Sequence, residues 1–192
     1  TQTWFHSSEL KREISKHLDG EKEINILEIG TFEGLSTTYF GDNFLNHSQS
    51  TLDAIDPFLH IDDNDHTKYL NGVEQNYDYN ISVCKNKDKI TTHKMTSDKF
   101  FKNFKGDKMY DFIYIDGCHL CDAIYKDMEN SFNKLKDNGI MWLDDYLGGA
   151  IGNDDIKKTM DKFVELHKDN IKIIHSNYQL AFVKTIYQRL KN

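Results

Sequence analysis

The stretch Ile26-Leu27-Glu28-Ile29-Gly30-Thr31-Phe32-Glu33-Gly34 constrains this chain more than any other. An apolar run that holds one acid ends at a glycine, and four residues later a second glycine precedes a helix-like pattern. It reads as a buried strand, a tight turn and a helix start. In open α/β folds a ligand binds at such a point, outside the carboxyl end of the strand. Gly30 has no Cβ and so lets backbone and ligand approach closely. A dinucleotide fingerprint needs glycine at the first, third and sixth places. Here those places hold Gly30, Phe32 and Leu35, and no Gly-Lys-Ser/Thr follows. A dehydrogenase and a phosphate loop are both disfavoured, leaving a glycine turn with Glu28 inside it.

Apolar runs and amphipathic stretches alternate along the whole chain, the pattern of βα units around a mostly parallel sheet. An entry helix is expected over 7–19, capped by Ser7 or Ser8. Strands are expected over 24–29, 51–55, 89–94, 111–115 and 140–143. Helices are expected over 34–45, within 66–86, from Ser97 to Phe104, over 119–136 (stopped by Asn138-Gly139) and over 153–168. Residues 171–175 and 179–184 read as a terminal antiparallel hairpin, which brings the strand count to seven. The 192 residues suffice for one domain, 1–192, with residues 1–20 as an N-terminal helical extension. The first residue is not methionine, which is compatible with a domain cut from a longer chain.

A net charge of −7 and the absence of a basic stripe weigh against nucleic acid as partner. No apolar run is long enough to cross a bilayer, and no signal peptide is visible, so no membrane partner is expected. Three cysteines, Cys84, Cys118 and Cys121, fit a reducing, cytoplasmic compartment better than a disulfide scaffold. Cys118-His119-Leu120-Cys121 lacks the second ligand pair that a zinc site would want. A homo-oligomer is compatible with the sequence.

Acids stand at the ends of the expected strands: Glu28, Asp56, Asp116 and the pair Asp144-Asp145. In a parallel sheet such ends share the ligand-binding edge, and neighbouring strands lie about 4.8 Å apart. Asp116, Asp144 and Asp145 can therefore converge if their strands are adjacent. Three converging carboxylates repel, so either their pKa values rise or a cation sits among them. Hard oxygen donors favour Mg²⁺, Ca²⁺ or Mn²⁺.

These residues together resemble the class I S-adenosylmethionine-dependent methyltransferases, over about residues 20–185. Glu28-x-Gly30-x-x-x-Gly34-x-Ser36 is similar to their cofactor loop, which implies cofactor contacts from Glu28, Gly30, Thr31, Phe32, Gly34 and Ser36. Ile55-Asp56-Pro57 is similar to the second-strand acid that holds the ribose. Thr96-Ser97-Asp98 stands where the third strand end approaches the adenine. Ile115-Asp116-Gly117-Cys118-His119 and Trp142-Leu143-Asp144-Asp145-Tyr146 resemble the metal-dependent sugar O-methyltransferases and their cephalosporin-hydroxylase-like relatives.

That resemblance implies a Rossmann-like α/β fold with helices on both faces of a seven-stranded, mostly parallel sheet. It implies Mg²⁺ (or Mn²⁺ or Ca²⁺) on Asp116, Asp144 and Asp145, and Asp116 beside the cofactor. The implied acceptor is a sugar hydroxyl, such as that of a deoxysugar like rhamnose in a glycan. A catechol-type acceptor and a metal-independent enzyme of the same fold are the alternatives. Some relatives place a catalytic aspartate where this chain has Cys118, so His119 becomes the candidate base. Tyr146 reads as packing rather than as lining the acceptor pocket, and Asp127 as part of a solvated helix face rather than as reaching back toward the site. Phe32 and Phe58 divide evenly between covering the cofactor and packing. The acidic loop Asp62–Asp65 reads as solvated, and Gly148-Gly149 as a flexible loop.

Overall fold

The computed structural model describes residues 5, 8–59, 72–147 and 154–185. The acidic loop at 62–65 and the glycine pair at 148–149 lie outside the described residues. The chain falls into two compact units, Thr1–Thr96 and Ser97–Asn192.

In the first unit, α1 (Ser8–Ile14) leads into β1 (Asn25–Ile29), α2 (Leu35–Phe44), β2 (Thr51–Ile55), α3 (Val73–Val83) and β3 (Ile90–His93). The strands run parallel in the order β3-β2-β1, with Ile29 opposite Ile55 and Ile55 opposite His93. Ile26, Leu27, Leu52 and Ala54 are fully buried. Consecutive burial along a strand means that both faces are covered, as parallel sheets require. Phe40 of α2 and Tyr77 of α3 fill the same core.

In the second unit, α4 (Ser97–Asn103), β4 (Tyr110–Ile115), α5 (Cys121–Phe132), β5 (Leu135–Leu143), α6 (Asp154–His167), β6 (Ile171–Ser176) and β7 (Leu180–Lys184) follow one another. Here the strand order is β4-β5-β7-β6. β5 is parallel to β4, whereas β7 pairs antiparallel with both β5 and β6. The terminal hairpin thus stands as expected. α6 buries Ile156, Met160 and Phe163 at helical spacing. The Phe163 ring meets those of Phe132, at 5.6 Å, and Phe182, at 6.0 Å.

Several boundaries differ from expectation. α1 ends at Ile14, five residues short, and the described helix within 66–86 begins at Val73. The largest change lies between 119 and 143. The helix expected to run to 136 ends at Phe132, and β5 begins at Leu135 rather than Ile140. Asn138-Gly139, expected to stop a helix, instead forms an irregularity inside a strand. Asn138 is left-handed at φ 63°, and the β4–β5 register shifts between Tyr110 and Phe112. A Cβ on Gly139 would come within 2.8 Å of the Leu135 side chain and the Lys136 carbonyl. The same residues that end a helix also permit a bulge, because both need a left-handed residue or a missing Cβ.

No helix among the described residues is long and apolar enough to cross a membrane.

Candidate active site

The first unit carries a glycine turn between β1 and α2. Gly30 and Gly34 take φ of 85° and 81°, in the left-handed region. A Cβ on Gly34 would also lie 2.9 Å from the Tyr77 ring. Phe32, at φ 47°, adopts the same region without being glycine, at a backbone cost that the surrounding structure must offset. That offset comes from Asp56. Its Oδ2 accepts the Thr31 and Phe32 amides at 2.9 and 3.0 Å, and its Oδ1 accepts the Phe58 amide at 2.7 Å. The Gly30 amide donates to the Ile55 carbonyl, at 2.9 Å, and that of Gly34 to the Thr31 carbonyl, at 2.7 Å. With these amides engaged, the turn is no phosphate cradle. The Thr31 hydroxyl also lies 3.5 Å from Oδ2. Each oxygen has about two acceptor positions, so Oδ1, with a single donor among the described residues, keeps one for a ligand hydroxyl.

Beneath the turn, Glu28 is fully buried and accepts a short hydrogen bond from the Ser36 hydroxyl. Among the described residues, its other oxygen, Oε2, has no hydrogen-bond partner within ordinary distance. Burial pushes the Glu28 carboxyl up to about 7; the Ser36 and Thr37 hydroxyls oppose the rise, and the Asp56 charge adds to it. An unpartnered buried oxygen beneath two glycines in the left-handed region fits a ligand that brings its own hydrogen-bond donor or positive charge. Phe58 packs its ring on Tyr77, with centroids 5.0 Å apart.

The second unit gathers its acids at the ends of β4 and β5. One ligand atom each from Asp116, His119 and Asp145 lies within 4.8 Å of the other two. His119 Nε2 stands 3.0 Å from Asp145 Oδ2. The set expected from sequence was Asp116, Asp144 and Asp145, whereas the side chains brought together here are Asp116, Asp145 and His119. Asp144 faces elsewhere. Its Oδ2 accepts the Tyr114 hydroxyl at 2.7 Å, and its Oδ1 accepts the Gln179 amide and the Asp145 backbone amide, each at 2.8 Å. Burial and the neighbouring Asp145 charge push the Asp144 carboxyl up from the usual range, against those hydrogen bonds. The two aspartates diverge because Asp145 is left-handed at φ 55°. A divalent cation with ligands at about 2.1 Å needs donor atoms roughly 3–3.5 Å apart. The Asp116–His119–Asp145 set lies within side-chain adjustment of that spacing.

Ser97 and Asp98 open α4. Asp98 is exposed and pairs with Lys126 at 3.8 Å. Ser97 hydrogen-bonds Asp127, which is 3% exposed rather than solvated as expected. Asp127 shares the inner face of α5 with Ile124, Met128 and Ser131, the spacing of a buried helical stripe. Burial pushes its carboxyl up to about 6, with the Ser97 hydrogen bond opposing. Tyr146 packs, at 8% exposed, and its hydroxyl donates to Asp161 at 2.7 Å. All three cysteines are free thiols.

Sequence reasoning passed over Tyr178 and Gln179, which contact Asp145 and Asp144. Both lie in the turn between β6 and β7, next to the last β5–β7 pair, Leu143 with Leu180, a placement that no local pattern in the sequence signals.

A strand, glycine turn and helix over a buried acid, followed by acids at successive strand ends, define a methyltransferase of class I. A family model described as a methyltransferase domain matches residues 27–146, more than half of the chain. The chain belongs to that family, and its fold is the Rossmann-like, S-adenosylmethionine-dependent methyltransferase fold. Among solved structures, it is similar to a candidate O-methyltransferase of Klebsiella pneumoniae, with 13% identity and a TM-score of 0.70 over 96% of this chain and 83% of that one. It is also similar to the O-methyltransferase TomG of Streptomyces achromogenes, involved in tomaymycin synthesis and solved with S-adenosylmethionine, with 14% identity and a TM-score of 0.68 over 94% and 82%. The O-methyltransferase of Bacillus cereus, solved with S-adenosylhomocysteine, gives 15% identity and a TM-score of 0.60 over 95% and 94%. Curated protein sequences yielded no match.

Proposed function

We propose that this chain is an S-adenosylmethionine-dependent O-methyltransferase that acts on a sugar hydroxyl with the help of a divalent cation, in a reducing cytoplasm. The observation that carries the reading is the convergence of Asp116, His119 and Asp145. The cofactor reading is supported by the glycine turn, by the unpartnered Glu28 oxygen and by neighbours solved with the methyl donor or its product.

Methyl transfer from a sulfonium is a direct displacement, so the acceptor oxygen must be held in line and must lose its proton. A sugar hydroxyl is nearly as weak an acid as water, whose pKa of about 15.7 is far from neutrality. Mg²⁺ or Mn²⁺, when bound, supplies Lewis acidity that lowers that value. Asp116, His119 and Asp145 would hold the cation, while Glu28, Gly30, Thr31, Phe32, Gly34, Ser36 and Asp56 would shape the cofactor's side of the reaction. Asp144, through Tyr114 and Gln179, keeps the end of β5 in place.

One observation favours a second reading. The His119–Asp145 pair, at 3.0 Å, is an imidazole oriented by a carboxylate, the arrangement of a general base that needs no metal. Assays with labelled cofactor on sugar and catechol acceptors, with Mg²⁺, with Mn²⁺ and with chelator, separate the two. Loss of methyl transfer in chelator supports the cation, and full turnover in chelator supports the bare base. No transfer to any sugar, with transfer to catechols, overturns the acceptor.

A further inference from the structure

Two consecutive aspartates follow β5, yet they point to different partners, and the terminal hairpin is what separates them. We propose that Tyr178 is a positioning residue that holds Asp145 toward Asp116 and His119 for cation binding, while Gln179 keeps Asp144 out of that set. The inference rests on the metal reading above.

The turn between β6 and β7 (residues 177–179) stands next to the last β5–β7 pair, Leu143 with Leu180, and so beside Asp144 and Asp145. The Leu147 amide donates to the Tyr178 carbonyl at 3.3 Å, which ties the segment after Asp145 to that turn. Gln179 is 7% exposed, and both ends of its amide are engaged. Its Oε1 accepts the Trp142 indole N–H at 2.8 Å and its Nε2 donates to Asp144 Oδ1 at 2.8 Å. The indole can only donate and the carboxylate accepts, so the amide has one orientation that satisfies both. Asp144, with three hydrogen bonds from Tyr114, Gln179 and the Asp145 amide, is thereby tied down.

Asp145 receives the opposite treatment. The Tyr178 hydroxyl donates to Asp145 Oδ1 at 2.6 Å, a short charge-assisted bond, and Oδ2 stands beside His119 Nε2. Fixing one oxygen of a carboxylate sets the direction of the other. Groups that orient ligands in this way are worth roughly 10- to 100-fold in metal affinity. Tyr178 is 47% exposed, so removing its hydroxyl leaves no core cavity.

The test is Mn²⁺ binding to the full chain without cofactor, followed by the electron paramagnetic resonance of free Mn²⁺, beside thermal unfolding. Wild type binds one Mn²⁺. Tyr178→Phe weakens binding roughly 10- to 100-fold at an unchanged Tm. Asp145→Asn loses binding, whereas Asp144→Asn keeps it within about threefold. Wild-type affinity in Tyr178→Phe, or equal losses in Asp144→Asn and Asp145→Asn, overturns the inference and leaves the metal reading standing. Failure of wild type to bind Mn²⁺ overturns both.

Discussion

The two units of this molecule arrange acids by opposite means. In the first, Asp56 spends its oxygens on backbone amides and Glu28 on a hydroxyl in the first turn of α2. In the second, Asp144 and Asp145 are held by side chains from the terminal hairpin, 35 and 33 residues away. A backbone-organised site tolerates little change in conformation, since each amide sits at a set place along a turn. A side-chain-organised site can change ligands by changing one distant residue. The first arrangement suits a ligand of constant shape, and the second would suit the cation and acceptor proposed above.

The largest expected effect probes that division directly. His119→Ala should lower turnover roughly 100- to 10,000-fold, since it removes a cation ligand in the first reading and the base in the second. Cofactor affinity by calorimetry should stay within about twofold, since only a group used in the chemical step is removed. A parallel loss of cofactor affinity would erase the distinction between the units.

Next in size are two buried carboxyls, one in each unit, that titrate high. Glu28 rises from 4.5 to about 7 and Asp127 from 3.8 to about 6, mainly through burial. A raised carboxyl binds its proton more tightly in the folded chain than in the unfolded one. Its contribution is therefore full below the unfolded pKa and is lost as pH rises through the folded value. Each shift corresponds to about 3 kcal/mol between those limits. Glu28→Gln should flatten urea-unfolding stability between about pH 4.5 and 7, and Asp127→Asn between about pH 4 and 6. An unchanged slope in either variant would remove the buried charge from that unit.

Gly34→Ala comes third. The left-handed backbone and the Tyr77 ring both oppose a Cβ, so a loss of roughly 1–3 kcal/mol is expected in thermal unfolding, with weaker cofactor binding. Full cofactor affinity in this variant would detach the turn from the cofactor. The smallest effect belongs to Asp98→Ala. Its exposed pairing with Lys126 contributes little, so Tm should hold. A rise in the KM for the cofactor would nonetheless assign Asp98 to it.

Legibility in the sequence followed the range of the interactions. The glycine turn was readable because left-handed residues and a missing Cβ leave a local signature. The acids at strand ends were readable because apolar runs mark where strands stop. Asp127 was misjudged because a lone acid in a helix gives no sign of which stripe it joins, and burial came from Ile124 and Met128 beside it. Asn138-Gly139 was misread because one local conformation serves both a helix end and a bulge, and packing against Leu135 decided between them.

Order of elements, family, glycine turn and the acids at the strand ends were settled by residue pattern alone, since each depends on neighbours a few positions apart. Which of two adjacent aspartates meets His119 was settled only in three dimensions. That choice hangs on the left-handed backbone at Asp145 and on a tyrosine and a glutamine from the last hairpin. Side-chain direction at the end of a strand is set by the groups that offer hydrogen bonds there, and those come from residues far along the chain.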